Sequence, residues 1–243
     1  MEGSAGVVLA GGSGSRLRPN TLVTNKHLLP IYDRPMCYFP IELLRDKFGI
    51  RDILIVSGGD HIGDFAELLG DGRKLGVNLT YRVQEEAGGI AQALGLAEDF
   101  VAGRHVVVVL GDNIFVDFER PQILDETVAT LFAKKVEDPQ RFGVPVFNPD
   151  GDLIRIDEKP DEPESDFAVT GLYSYPPDVF DIIPTLNPSG RGELEITDVN
   201  NWYIENKRCH LLEINGYWKD SGTHDSLLES SIRVAESKRL DSR

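Results

Sequence analysis

Residues 6–19 read Gly6-Val-Val-Leu-Ala10-Gly-Gly-Ser-Gly-Ser15-Arg-Leu-Arg-Pro19, and the fold follows from how this stretch divides. Residues 6–10 are a short apolar run bounded by glycine, the pattern of a strand buried on both faces of a parallel sheet. The three glycines and two serines that follow let the backbone approach a ligand closely and aim N–H groups at an anion. Two more apolar runs, 53–57 (ILIVS) and 105–110 (HVVVVL), repeat the strand signal. Helical spacing lies between the runs. In 87–101, Ile90, Leu94, Ala97 and Val101 fall on one stripe; a second helix follows Pro35 and runs to Phe48; a third covers 61–69. Strand–helix–strand alternation with short connections predicts right-handed βαβ units and an α/β fold with a doubly wound, mostly parallel, Rossmann-like sheet.

The second half changes character. Residues 141–175 hold short β-like runs separated by turn clusters such as Asn148-Pro149-Asp150-Gly151, and helical patterns return at 177–186, 193–206 and 223–238. These predict additional strands and helices packed on the same sheet and covering the carboxyl ends of its strands, where open α/β sheets bind ligands. No stretch has the composition of a linker, repeat or low-complexity tract, so residues 1–243 are expected to form one domain.

The chain has 243 residues with 40 Asp+Glu against 25 Lys+Arg, a formal charge of −15, and 41% hydrophobic residues. That supports a sizeable core and argues against disorder. The acid excess argues against nucleic acid or an anionic membrane as partner. The longest apolar run, Val106 to Leu110, is too short to span a bilayer, and the opening residues lack a signal-peptide pattern. With only Cys37 and Cys209 no disulfide scaffold is indicated, and a cytoplasmic protein is expected. Oligomer formation is left open by the composition.

Two readings of the glycine loop fail. A dinucleotide fingerprint needs a third glycine where Leu17 stands and an acidic residue after the second strand, which closes on Ser57-Gly58. A P-loop needs Gly-Lys-Ser/Thr, which is absent. What remains is a phosphate loop flanked by Arg16, Arg18 and Lys26. No Asp or Glu lies between Gly3 and Tyr32, where the chain average places about five. An anionic protein has cleared carboxylates from one stretch and set cations there, which offsets its own field toward an anionic ligand.

Asp112 ends the third apolar run, on the same sheet edge as the loop, and Asp220 lies in Tyr217-Trp-Lys-Asp-Ser-Gly-Thr-His224, where a short strand gives way to a helix. Two oxygen donors beside a phosphate loop suit Mg²⁺. Each carboxylate has a plainer reading: Asp112 as a turn cap, Asp220 at a helix entry that Thr223 already fills well. Glu158-Lys159 could hold sugar hydroxyls and a phosphate or be a solvated turn. The acids of Gly192-Glu-Leu-Glu-Ile-Thr-Asp198 suit a helix N-terminus. The five histidines show no metal-ligand spacing, and no nucleophile–base constellation stands out.

These motifs together resemble the sugar-1-phosphate nucleotidylyltransferases, closest to the short form of those acting on glucose 1-phosphate. The likeness runs from LAGGSGSRLRP through NKHLLPIYDRPM, LLGDG, GGIAQAL, LGDNIF, DEKP, VTGLY and GRGELEITDVN to WKDSGTHDSLLES. The resemblance implies a nucleotide held by Leu9, Gly11, Gly12, Ser13, Gly14, Ser15 and Arg16, with Arg16 and Lys26 on the triphosphate and Gln84 and Gly89 at the pyrimidine. It implies Mg²⁺ on Asp112 and Asp220, and a sugar phosphate held by Asn113, Gly143, Glu158, Lys159 and Val169. Arg16, Lys26, Asp112, Lys159 and Asp220 would carry the catalysis, with 1–115 mainly binding nucleotide and 116–243 mainly sugar phosphate. The implied substrates are dTTP or UTP and glucose 1-phosphate. His27 stands where glutamine is common, Phe142 where tyrosine is, and Glu85-Glu86-Ala87-Gly88 replaces a Pro-richer segment. The competing readings are an enzyme accepting UTP or several sugar phosphates, a nucleotide-sugar sensor without turnover and, more distantly, a Rossmann dehydrogenase.

Overall fold

The computed structural model describes residues 3–120 and 125–241. Its elements are β1 (Ala5–Leu9), α1 (Tyr38–Phe48), β2 (Asp52–Gly58), α2 (Ile62–Leu69), β3 (Asn78–Gln84), α3 (Ile90–Gly95), α4 (Glu98–Val101), β4 (Val106–Leu110), β5 (Asn113–Val116), β6 (Ala129–Lys135), β7 (Gly143–Phe147), β8 (Leu153–Glu158), β9 (Phe167–Tyr175), α5 (Val179–Ile182), α6 (Ile196–Glu205), β10 (Cys209–Glu213), β11 (Tyr217–Asp220) and α7 (His224–Asp241), with single 3₁₀ turns between some of them.

Seven strands form one sheet in the order β10-β6-β9-β4-β1-β2-β3. All run parallel except β9, which pairs antiparallel with both β4 and β6. The period-two alternation of strand side chains explains the uninterrupted apolar runs. Val7, Leu54, Val106 and Val108 face one layer with Ala91, Leu94 and Val101 of α3 and α4 and Val199 and Tyr203 of α6. Val8, Ile53, Ile55, Val107 and Val109 face the other, against Ile41 and Leu44 of α1 and Phe65 and Leu69 of α2. Each fully buried Val contributes roughly 1.5–3 kcal/mol, so both faces of these strands must be apolar.

Helix boundaries follow local chemistry. Pro40 sits in the first turn of α1, where its missing N–H costs nothing, and Gly49 ends the helix in the left-handed region, its N–H donating to Leu44 O. Thr223 caps α7, its Oγ1 accepting from Ser226 N at 3.2 Å. The expected helix over 87–101 is two pieces, α3 and α4, broken at Leu96. Leu94, Ala97 and Val101 of its stripe are buried, but Ile90 faces a cavity. The expected helices at 177–186 and 193–206 are also shorter: the first is α5 plus a 3₁₀ turn, the second begins at Ile196. Strands β3, β5, β6 and β10 lie outside the runs read from the sequence.

Two features of topology place a site. β1 and β4 are neighbours, while the chain leaves β1 for β2 on the other side; that divergence opens a crevice beyond the carboxyl ends of both strands. A separate two-stranded ladder pairs β5 with β11 so that Asp220 lies opposite Asn113, and Ser221 N donates to Asp112 O at 2.8 Å. Register thereby brings the late carboxylate to the end of β4. Among the described residues, no helix is long and apolar enough to cross a membrane. Cys37 and Cys209 are free, and burial pushes both thiols up to about 12.

Candidate active site

Two cavities meet at this crevice. One, of about 530 Å³, is lined by Arg16, Asp112, Asn113, Arg141, Phe142, Gly143, Glu158, Lys159, Val169, Tyr173, Thr197, Trp218 and Asp220, among others. The other, of about 240 Å³, is lined by Leu9, Gly11, Gly12, Lys26, His27, Gln84, Ala87, Gly89, Asp112, Lys159 and Arg191, among others. Asp112, Leu110, Ile90, Glu158, Lys159 and Glu195 belong to both walls. The walls carry five cations (Arg16, Lys26, Arg141, Lys159, Arg191) and five acids (Asp112, Glu158, Glu193, Glu195, Asp220). In a chain with 40 acids to 25 bases this balance is a local enrichment in positive charge.

Lys26 reaches the site from a 3₁₀ turn, Lys26–Leu28, that Asn25 caps by accepting from His27 N at 2.9 Å. Its Nζ donates to Asp112 Oδ2, while Asn113 Nδ2 donates to Asp112 Oδ1 at 3.0 Å. Burial acts to raise the Asp112 pKa, but the Lys26 charge and the hydrogen bonds from Lys26 and Asn113 outweigh it, and the carboxyl stays well below its usual range. His27 fills the space beneath. A Cβ on Gly111 would lie 2.6 Å from its Cδ2, and burial, aided by Lys26, lowers its pKa to about 3. The ring is neutral and donates from Nδ1 to Asn25 Oδ1 at 2.7 Å.

Asp220 stands in the opposite condition. Burial first and the Asp112 charge second push it up to about 6. Arg16 Nη2 lies 4.0 Å from its Oδ2, and its Oδ1 is buried without a hydrogen-bond partner. An orphaned carboxylate oxygen beside a second carboxylate is the arrangement a hard divalent cation satisfies, and the all-oxygen donor set fits Mg²⁺. Among the described residues no group of three or more His, Cys, Asp or Glu converges, as suits an ion that takes its other ligands from water and phosphate.

Across the cavity, Lys159 adopts a left-handed backbone (φ 48), uncommon for a residue with a Cβ. Its N–H donates to Phe142 O at 2.9 Å, which fixes the turn, and its Nζ lies 3.0 Å from Glu158 Oε1. Glu158 Oε2 accepts from Thr197 Oγ1 at 2.7 Å. Asn113 is buried, and its Oδ1 is filled by Trp218 Nε1 at 2.7 Å and Gly171 N at 2.8 Å. With one Nδ2 proton on Asp112, a single N–H remains for a ligand. Gly143 and Val169 line the same wall.

The structure gathers most of the residues singled out in the sequence, but Ser13, Gly14 and Ser15 are not among the lining residues of either cavity. Arg191 was missed. Its Nη2 lies 3.0 Å from Glu195 and 3.6 Å from Glu158, so Glu195 turns to Arg191 and to Ser189 Oγ (2.7 Å) rather than capping α6. The basic residue inside the acidic run Arg191-Gly-Glu-Leu-Glu195 was the available signal.

The chain belongs to the nucleotidyl transferase family, whose model matches residues 5–237, and it is a nucleotidyltransferase of mixed α/β architecture. Among its relatives, glucose-1-phosphate thymidylyltransferase of Xanthomonas campestris pv. campestris is 47% identical over 95% of this chain and 80% of its own length. The protein of that name from Neisseria meningitidis is 44% identical over 94% and 82%. A crystal structure from Bacillus anthracis, bearing the provisional name glucose-1-phosphate thymidylyltransferase and in complex with sucrose, superposes with a TM-score of 0.88 at 49% identity, covering 94% of each chain.

Proposed function

We propose that the chain transfers a thymidylyl group from dTTP to α-D-glucose 1-phosphate, giving dTDP-glucose and pyrophosphate with Mg²⁺ as cofactor. The observation that carries this reading is the meeting of two cation-bearing cavities at Asp112, with Asp220 beside it. The smaller cavity, with the glycine loop, Gln84 and Gly89, takes the nucleotide. The larger, with Gly143, Glu158, Lys159 and Val169, takes the sugar phosphate. Residues 1–115 thus mainly serve the nucleotide and 116–243 mainly the sugar phosphate. The free, high-pKa thiols suit a cytoplasmic setting.

A phosphate oxygen of glucose 1-phosphate attacks the α-phosphorus of dTTP in line, and the α–β bridging oxygen leaves with pyrophosphate. The nucleophile is already an anion at neutral pH, so no protein base is required and catalysis consists of positioning and charge neutralisation. Lys159, in the wall that both cavities share, holds the sugar phosphate against its mutual repulsion with the nucleotide, and Arg191, in the smaller cavity, adds to the neutralisation. Arg16 and Lys26 face the β and γ phosphates and stabilise the charge that develops on pyrophosphate. Asp112 and Asp220 would hold Mg²⁺, which when bound neutralises phosphate charge and orients the α-phosphoryl group. Glu158, anchored by Thr197, accepts from sugar hydroxyls.

A pyrophosphate-release assay with dTTP, glucose 1-phosphate and Mg²⁺ tests the reading. Stoichiometric dTDP-glucose and pyrophosphate are expected. Tight binding of dTDP-glucose with no pyrophosphate release would overturn it in favour of a sensor.

A further inference from the structure

Gln84, which faces the nucleotide cavity, is itself held by a residue that is not among those lining it. Gln84 Nε2 donates to Gln92 Oε1 at 2.7 Å and faces Gly89 O at 3.5 Å. A backbone carbonyl can only accept, so the amide nitrogen belongs on that side. The opposite side agrees: Gln84 Oε1 sits where a Cβ on Gly11 would lie 2.5 Å away, over the glycine loop. Gln92 rises from α3, its stem packed over Gly88, where a Cβ would meet Cγ at 2.9 Å.

An amide carries two N–H donors and one carbonyl acceptor. Here one donor is committed to Gln92 and the other is turned toward Gly89 O at 3.5 Å, so the carbonyl oxygen is the group Gln84 aims at a base over the glycine loop. A base that offers a ring N–H, as thymine and uracil do at N3, is complementary. Cytosine places a lone pair at N3 and meets oxygen against nitrogen. Flipping the amide would remove the clash, but it would set Gln84 Oε1 against Gly89 O, which can only accept, and would require the Gln92 amide to turn with it.

We infer that Gln92 is a positioning residue for nucleobase choice: by accepting from Gln84 Nε2 it holds the amide in the one orientation that reads a ring N–H. The inference rests on the reading of this site as a pyrimidine nucleotide pocket. It also sets a limit. Uracil and thymine share the N3–H, so Gln92 separates both from cytosine and does not separate them from each other.

The test is Gln92→Met, which keeps the shape and removes the acceptor, beside Gln92→Glu, which restores one. Calorimetric affinities for dTDP, dUDP and dCDP are measured for all three proteins, with kcat/KM for dTTP, dUTP and dCTP at saturating glucose 1-phosphate. In Gln92→Met the dTDP-over-dCDP preference is expected to fall about tenfold, the worth of one neutral hydrogen bond. The dTDP-to-dUDP ratio and the KM for glucose 1-phosphate should stay fixed, and Gln92→Glu should recover the preference. An unchanged dTDP-to-dCDP ratio in Gln92→Met, or a wild type without that preference, overturns the inference. Wild-type binding of dTDP without turnover would defeat the transferase reading while the affinity ratios still judge Gln92.

Discussion

Lys26 and Asp112, 86 positions apart in the chain, close an ion pair in the crevice beyond the carboxyl ends of β1 and β4. One comes from the stretch cleared of acids, the other from the end of the strand that the sheet places beside it. Asp112→Asn keeps the shape and removes the charge that Lys26 answers and that the metal reading requires. Turnover is expected to fall about 100-fold or more, with the far-UV spectrum unchanged. Wild-type turnover in this variant, measured by pyrophosphate release, would refute the metal role.

Asp220 predicts a trade between stability and function. Its buried, unpartnered Oδ1 and the neighbouring Asp112 charge make its ionised form costly without a cation. Asp220→Asn should therefore leave the metal-free melting temperature equal to or above that of wild type. The variant should lose the rise in melting temperature that Mg²⁺ gives wild type, and EDTA should abolish wild-type turnover. A variant that still gains stability from Mg²⁺ would place the cation elsewhere.

Lys159 is a cation on a left-handed turn in the wall that both cavities share, and under the proposed function it holds the sugar phosphate. A charge-assisted hydrogen bond is worth about 1.5–3 kcal/mol, so Lys159→Ala should raise the KM for glucose 1-phosphate by roughly 10- to 100-fold. Its KM for dTTP should change far less. Equal effects on both substrates in steady-state kinetics would count against this assignment.

The sheet was legible because Val7, Val8 and Val106 to Val109 are apolar at every position, and a strand buried on both faces requires that. The glycine loop and Asp112 were legible because each follows the end of such a strand, and Lys26 because it falls in the stretch cleared of acids. What local sequence could not give was pairing between distant segments. Strand β3 (Asn78–Gln84) lies at a sheet edge, half exposed, and carries no apolar run. The break between α3 and α4 falls inside a continuous apolar stripe, where a Cβ on Gly95 would lie 3.3 Å from Ile183 Cγ2. Arg191 was missed because its partners Glu158 and Glu195 are brought to it only by the fold. The nearness of Asp220 to Asp112 depends on the β5–β11 register, which periodicity does not encode.

His105 supplies a pH dependence remote from the catalytic groups. It is buried, with Nδ1 3.3 Å from Glu126 O and Nε2 2.7 Å from Ser174 Oγ. Burial holds its pKa below the ordinary 6.5. The unfolded chain thus binds a proton that the folded one refuses, so this contribution is present above pH 6.5 and is lost progressively as pH falls from there through the lower folded value. His105→Gln can make similar contacts without titrating. Urea unfolding should show wild-type stability falling more steeply from pH 7 to pH 5 than the variant's, and parallel curves would contradict the account.

Gly89 joins the two halves of the site. Its φ of +98 lies in the region that L side chains rarely adopt, and an added Cβ would come 2.5 Å from Leu194 O. The neighbouring backbone is laced to the same residue: Leu194 N donates to Gly88 O at 2.8 Å and Ala91 N to Leu194 O at 3.1 Å. Relieving the clash must therefore pull the segment that carries Gly89 away from the one that carries Arg191 and Glu195. Strain of this kind costs about 1–3 kcal/mol, which sets the expected loss of unfolding free energy in Gly89→Ala. Because both cavities share the displaced wall, the KM values for dTTP and for glucose 1-phosphate should rise together, unlike the one-sided effect of Lys159→Ala. A stable Gly89→Ala protein with wild-type kinetics would show that the Gly88–Leu194 contact does not hold the two cavities in place.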